Sequence, residues 1–536
     1  MSGASASAPQ RASPFLSASV LRETQVASVS SHSAIPLGPT HPVDILRHYV
    51  DNPTPCQRFW YTAAPFIAEF FGTFMLAVTY GCTQCVQALM PRSASVVGLV
   101  YFVLHVSLSG VSGGHLNPAV SIAVGASRRK EWPLVAGFVV MQLLAGVMAG
   151  SVCSIVFRPA NITIGPRGTF GWWQPMVIES MYTMMLCFVF LNVHVSQLTK
   201  NWGRLPNQFD GLAVGLVVIA AGLSAVNVSG AVINPALSVG FELMGVEDGG
   251  LWGGIYCIYH VAGALIACLL FRICRPEESL DEIPEGWVPR LPTKLAAEFV
   301  GTLLVSFTVG VSILTESSAC PWSYGAAVAS LSYALADVSG AHFNPVVTVV
   351  MMFRSLAPPL HGVCYVILQA LGGILGTIVA VGICDPSGAG IEVAPLEPYT
   401  LGAAIMLELC FTAVVVFVVL GAGQIPENDS FAHGGKLRCK AWNFYYGLAI
   451  GLAITGGSIA SRNVSGGWMN PAIVLGASVG NSLNAGTFSN FWNYSVAEFG
   501  GGMLAILTFF LTHPREMLPR DTSQYAQAKG PEFHHS

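Results

Sequence analysis

Four short stretches constrain the fold more than any other feature of the chain. They read Ser112-Gly113-Gly114-His115-Leu116-Asn117-Pro118-Ala119, Ser229-Gly230-Ala231-Val232-Ile233-Asn234-Pro235-Ala236, Ser339-Gly340-Ala341-His342-Phe343-Asn344-Pro345-Val346 and Ser465-Gly466-Gly467-Trp468-Met469-Asn470-Pro471-Ala472. Proline suits the first position of a helix, because its missing N–H would have no partner there anyway. Asparagine ahead of it is a good N-cap. Each stretch therefore starts a helix. Those helices are short, since Arg128-Arg129-Lys130 end the first apolar run and Arg354 ends the third. A single Asn-Pro is an ordinary turn; four with the same prelude are not.

The surroundings are those of a membrane. Hydrophobic residues make up 53% of the 536, charged ones only 10%, and mean hydropathy is +0.60. Soluble domains carry about 25% charged residues. The net charge of −4 argues against nucleic acid as a partner. Cys187, Cys257, Cys268 and Cys410 lie inside apolar runs and read as small core hydrophobes. Residues 1–55, rich in Ser, Ala and Pro, read as a disordered cytoplasmic tail without a signal peptide. Spans are expected near 64–90, 94–110, 133–157, 175–198, 209–226 and 251–273. An acidic linker follows over 276–291, then spans near 293–315, 322–337, 359–383, 399–421, 442–460 and 491–512. Each is close to the ~20 residues that cross a bilayer, the fifth and eleventh being marginal by length. The remainder, 513–536, reads as a cytoplasmic tail.

Six spans plus two short helices thus occur twice. Glu69 and Thr73, Glu179 and Thr183, Glu298 and Thr302, and Glu408 and Thr412 all form Glu-x-x-x-Thr in the first and fourth spans of each half. Glu69 and Glu298 lie 229 residues apart, as do Glu179 and Glu408. The expected fold is all-α and polytopic, with two homologous halves over 60–275 and 292–512. Three spans reverse orientation, so the repeats inside each half are inverted, as in transport folds. Arg128, Arg129, Lys130, Arg272, Arg275, Arg354, Lys436 and Lys440 fall on one side, and Arg92, Arg158, Arg167 and Arg462 on the other. Both termini and the linker are therefore expected to be cytoplasmic. Which membrane holds the chain, plasma or internal, is left open.

Irregular backbone at membrane depth survives only inside protein or beside a wet cavity. Inverted repeats bring Asn117 and Asn234 to one midplane site, and Asn344 and Asn470 to another. Each site then presents two amide donors and two positive helix ends. Such a site hydrogen-bonds a passing neutral molecule, repels cations and interrupts a proton wire. The buried acids Glu69, Glu179, Glu298 and Glu408 suit anchoring of the loops through backbone N–H groups. Proton relays and solvent-facing ends of spans are the competing readings.

With these residues the chain resembles the aquaporins, or major intrinsic proteins, fused in tandem. Ala68-Glu69-Phe70-Phe71-Gly72-Thr73 and Ala297-Glu298-Phe299-Val300-Gly301-Thr302 are similar to the family's first-helix signature, and the paired Asn-Pro-Ala motif is specific to it. The resemblance implies a pore in each half for water or small neutral solutes such as glycerol, urea or ammonia. It also implies a tetrameric array of pores, which two tandem chains supply by dimerising in the lipid bilayer.

The departures concern selectivity. The family's filter usually includes an aromatic residue and an arginine three places after the second motif's Asn, where this chain has Leu237 and Ile473. The resemblance puts the filters at Val97, Gly222, Ala231 and Leu237, and at Tyr324, Ser458, Gly467 and Ile473. The first is small and apolar and reads as wider; the second keeps two polar groups. Val346 replaces the family's alanine. Trp468 either packs or narrows the path. Arg462, placed in an extracellular loop, either reaches the mouth or is a solvated charge. His115 and His342 stand where the family often has a histidine at the cytoplasmic vestibule. His105, His260 and Glu498 read as satisfied packing residues. Asn161 heads a sequon in a loop, whereas the sequons at Asn227 and Asn463 read as buried.

No nucleophile–base pair, metal-ligand spacing, phosphate loop or cofactor motif occurs, so neither an enzyme nor a cofactor is expected. A passive channel is the leading reading. An adhesion or scaffold protein that keeps the fold without conduction is the alternative.

Overall fold

The computed structural model describes residues 54–85, 90–157, 162–196, 209–244, 251–280, 283–284, 287–385, 388, 390–422, 445–488 and 490–514. Most of the expected tails and the sequon at Asn161 lie outside these residues. Sixteen α-helices and no strand occur among the described residues. The first half holds α1 (Pro55–Cys85), α2 (Met90–Leu108), α3 (Pro118–Ala126), α4 (Trp132–Val156), α5 (Trp173–Phe190), α6 (Asp210–Ser229), α7 (Pro235–Met244) and α8 (Trp252–Cys274). The second holds α9 (Leu291–Leu314), α10 (Cys320–Ser339), α11 (Pro345–Phe353), α12 (Pro359–Cys384), α13 (Leu401–Ala422), α14 (Tyr446–Ser465), α15 (Pro471–Asn484) and α16 (Phe491–Thr512). The short helices α3, α7, α11 and α15 each begin at the proline of an Asn-Pro pair. A π turn, Leu191–Val195, extends α5.

Nine described helices are long and apolar enough to cross a membrane. Helix α10 falls outside that group because it carries Ser323, Ser330 and Ser332, which are buried in protein and not presented to lipid. The half-helices sit against the long ones at backbone distance. A Cβ on Gly146 of α4 would lie 2.0 Å from the Ala236 carbonyl oxygen of α7, and one on Gly373 of α12 would lie 2.1 Å from that of Ala472 in α15. Only glycine permits that approach.

Two of the sequence expectations need correction. Arg462 lies in the last turn of α14, half-buried, and not in a loop, because α14 runs five residues beyond the expected end of its span. Its guanidinium reaches the Cys320 thiol at the start of α10. Asn227 and Asn463 are exposed, on the outward side of the last turns of α6 and α14.

The halves pack side by side through α6, α9 and α10. Thr315 Oγ1 donates to the Ser224 carbonyl at 2.9 Å, and Phe209 stacks on Tyr333 at 5.7 Å. The start of the linker is folded inward. Buried Arg275 donates to Asp337 Oδ1 and Oδ2 of α10 at 2.6 and 2.9 Å, and to Asn192 Oδ1 at 2.7 Å. Arg129 pairs with Glu278. Glu277 is also buried, 3.6 Å from Arg275, and neither of its oxygens has a hydrogen-bond donor.

Burial pushes the Glu277 carboxyl up to about 7, against the attraction of Arg275. An acid whose folded value is raised contributes stability below its unfolded value and loses it as pH rises to the folded one. Thermal unfolding of the purified chain is therefore expected to show Tm falling between about pH 4.5 and 7. Glu277→Gln flattens that slope and raises Tm above pH 7. An unchanged slope in the variant refutes the assignment.

Candidate functional site

Each Asn-Pro pair builds a cap and then a crossing. Asn117 Oδ1 accepts the Ala119 N–H at 2.9 Å, Asn234 Oδ1 that of Ala236 at 3.0 Å, Asn344 Oδ1 that of Val346 at 2.9 Å, and Asn470 Oδ1 that of Ala472 at 3.1 Å. The amides then cross to the opposite loop. Asn117 Nδ2 donates to the Ile233 carbonyl at 2.8 Å, and Asn234 Nδ2 to that of Leu116 at 3.0 Å. In the second half Asn344 Nδ2 donates to Met469 and Asn470 Nδ2 to Phe343, both at 2.9 Å. An amide NH2 carries two hydrogens. One fixes the pair, and the second is the group that can meet a solute.

The carbonyls that receive these amides belong to strained residues. Leu116, Ile233, Phe343 and Met469 have φ of +51°, +42°, +47° and +52°. A side chain in that left-handed region costs about 1–3 kcal/mol and persists only where the surroundings enforce it. The four glutamates provide the enforcement. Glu69 Oε2 accepts Leu116 N–H at 2.7 Å and its Oε1 accepts His115 N–H at 2.9 Å and the Ser112 hydroxyl at 2.5 Å. Glu179 does the same for Ile233, Val232 and Ser229. Glu298 does so for Phe343, His342 and Ser339, and Glu408 for Met469, Trp468 and Ser465.

Three of the carboxylates have a further donor from the third long helix of their repeat. These are Gln142 at 2.7 Å, His260 at 2.9 Å and Gln369 at 2.8 Å. Sequence reasoning missed the glutamines. Their signal was the repeat itself, since both follow their Asn by 25 residues. In the fourth quarter α16 places Glu498 in the pocket of Glu408. Both oxygens of Glu498 are buried without a hydrogen-bond partner, as is His105 Nε2. These two are not satisfied packing residues.

The filter candidates are all buried. Val97 lies in α2, Gly222 in α6, Ala231 (φ +48°) in the second re-entrant loop and Leu237 in the first turn of α7. In the second half, Tyr324 donates its hydroxyl to the Trp468 carbonyl at 3.1 Å. A Cβ on Gly467 would lie 2.8 Å from Ser458 Oγ, and Ile473 is buried in α15. The Trp468 indole folds back on its own loop, donating to the Ser465 carbonyl at 3.0 Å. Val346 fits because Gly502 of α16 leaves room, a Cβ there lying 2.4 Å from Val346 Cγ1. His115 Nδ1 meets Ser121 Oγ at 3.0 Å and His342 Nδ1 meets Thr348 Oγ1 at 3.1 Å.

A cation sits near this end of each half on an unrelated position. Arg167, in the loop before α5, bonds through its backbone N–H to the Val228 carbonyl at 2.9 Å. Its guanidinium donates to the Val226 carbonyl at 3.2 Å and to Gln84 Oε1 at 2.7 Å, and lies beside Gly230. In the second half Leu396 makes the same backbone bond, to Val464 at 3.0 Å. There the charge is on α14 instead: Arg462 precedes Asn470 by eight residues, as Val226 precedes Asn234. A lone arginine in an unpatterned loop gave no signal for Arg167.

Two opposed half-helices capped by crossed asparagines inside six long helices, twice over, define a tandem membrane channel of the re-entrant-loop class. The family model of the major intrinsic proteins matches residues 58–279 and again 288–509, and the chain belongs to that family. Members are channels for water or small solutes and not enzymes. Among the relatives, aquaporin NIP1-1 of Zea mays is 33% identical over 216 residues, 39% of this chain and 74% of the relative. Nodulin-26 of Glycine max is 33% identical, covering 39% and 77%, and the lens fiber major intrinsic protein of Ovis aries is 30% identical, covering 41% and 81%. The aquaglyceroporin structure from Plasmodium falciparum is 20% identical, covering 41% of this chain and 98% of that one, with a TM-score of 0.36.

The carboxylate pockets yield opposite expectations for one substitution type. Glu298→Gln replaces a double acceptor by an amide and is expected to cost about 2–4 kcal/mol. Glu498→Gln supplies Glu408 with the missing donor and is expected to gain about 1 kcal/mol. Thermal unfolding of both variants in detergent checks the pair. A Tm decrease for Glu498→Gln would contradict the pocket as described.

Proposed function

We propose that each half is a separate passive pore, the first for small neutral solutes such as glycerol, urea or ammonia and the second for water. Crossed amide pairs at Asn117/Asn234 and Asn344/Asn470 serve as the proton barriers, with Pro118, Ala119, Pro235, Ala236, Pro345, Val346, Pro471 and Ala472 starting the half-helices behind them. Glu69, Glu179, Glu298 and Glu408 hold the loops. Val97, Gly222, Ala231 and Leu237 form an apolar filter without a side-chain donor. Tyr324, Ser458, Gly467 and Ile473 form a narrower one, with Trp468 packed beside it. The observation that carries the difference is the Tyr324 hydroxyl donating to the Trp468 carbonyl, with Ser458 Oγ close beside Gly467, for which the first filter has no polar equivalent. Arg167 and Arg462 supply positive charge at the mouths that lack the family's arginine.

The units run over 60–275 and 292–512, with linker 276–291 and tails 1–55 and 513–536 on the cytoplasmic side. Two chains associate to give four pores.

Stopped-flow swelling of proteoliposomes holding the full chain tests this. Gly222→Trp is expected to bring glycerol and urea entry to the protein-free rate while water entry persists. Ser458→Trp is expected to do the reverse. Wild-type vesicles that swell no faster than protein-free ones in any of these solutes would leave a structural role for the fold.

A further inference from the structure

Away from both proposed filters, three side chains distant in sequence meet at one end of the first half. His105 Nε2 of α2 lies 3.4 Å from Asp210 Oδ2 at the start of α6, and His194 Nδ1 of the π turn lies 2.9 Å from the same oxygen. All three donor atoms lie within 4.8 Å of one another. We propose that this cluster is a divalent transition-metal site, of the zinc class, peculiar to the first half.

The hydrogen bonding of His105 carries the argument. Its Nδ1 is 3.0 Å from the Gly114 carbonyl, which can only accept, so Nδ1 bears the hydrogen. In the neutral ring Nε2 is then a lone pair. It is fully buried, has no hydrogen-bond donor and faces a carboxylate oxygen. Two acceptors directed at each other repel, and a cation between them turns the arrangement favourable. Imidazole and carboxylate are the ligand types zinc takes, with bonds of about 2.0–2.2 Å that set neighbouring ligand atoms of a tetrahedral ion roughly 3.3 Å apart. The observed 2.9 and 3.4 Å lie on either side of that spacing. A ligating histidine characteristically donates its other ring N–H to a carbonyl, which fixes the tautomer; Gly114 provides it. His194 is carried by a π turn, a distortion frequent at functional sites.

Among the described residues the second half has no such set. Twelve residues before its Asn344, where His105 precedes Asn117, stands Ser332. Twenty-four before Asn470, where Asp210 precedes Asn234, stands Tyr446. That tyrosine donates to the Ser332 carbonyl at 3.1 Å, so an internal hydrogen bond closes the corresponding place. Because Gly114 belongs to the first re-entrant loop, an ion on His105 would tie α2, the π turn and α6 to the backbone ahead of Asn117. The ion would thereby act on one half alone.

The test uses the purified full chain, stripped with chelator, loaded with ZnCl2 or CoCl2 and desalted. Wild type is expected to retain one equivalent of zinc more than His105→Gln, His194→Gln or Asp210→Asn. Its cobalt form is expected to show the visible absorption of a low-coordinate site, which the variants lack. His361→Ala, a substitution elsewhere, retains the wild-type amount. If His105→Gln fails to elute as a monodisperse species, His194→Gln and Asp210→Asn, at the less buried rim, decide the outcome. Equal retention by wild type and variants, or none by wild type, overturns the site and leaves an imidazolium–carboxylate pair in its place.

Discussion

A carboxylate that accepts two successive backbone N–H groups is the interaction on which each quarter of this protein depends. The second of those N–H groups belongs to a residue held at positive φ, Leu116, Ile233, Phe343 or Met469. That backbone turns the residue's carbonyl toward the opposite loop, where it receives the amide of the other asparagine. The amide's oxygen meanwhile caps its own helix. Carboxylate, strained residue, crossed amide and helix start thus form one sequence of dependencies. In a dry interior a charged acceptor is worth more than a neutral one, and an unmatched one costs more. The acid can be buried there because its lone pairs are occupied by donors of the loop it restrains.

Much of this was legible in the chain. The Asn-Pro stretches declare helix starts by local chemistry, and their spacing against Glu-x-x-x-Thr exposes the repeat. Span positions follow from apolar length, so α12 and α16 begin within a residue of where composition puts them. Features resting on contacts between remote segments were not legible. Arg167 meets Val226 across 59 residues, and His105 meets Asp210 across more than a hundred. Neither pair belongs to a periodic pattern. The polar residues around Arg462 resemble a loop in sequence, although they continue α14 to Ser465. The environment of Glu498 is not legible in the chain, because an isolated acid on an apolar helix says nothing of the buried acid near which it packs.

The halves share a backbone plan and differ in what fills it. The same loop-to-loop backbone bond is made by Arg167 in one and Leu396 in the other. Donors complete three carboxylate pockets, and an acid occupies the fourth. Valine replaces alanine behind Asn344 with glycine opposite it in α16. Such differences accumulate where a substitution in one copy does not oblige the other to follow.

The inward-folded linker bears on composition of the assembly. Arg275 binds Asp337 across the boundary between the halves while remaining in the same chain as both. Unlike subunits made separately would assort by chance, giving a spectrum of mixtures that shifts with the supply of each. Here the two unlike units are translated together and clasped as neighbours. Their proportion is one to one in every molecule, independent of expression level.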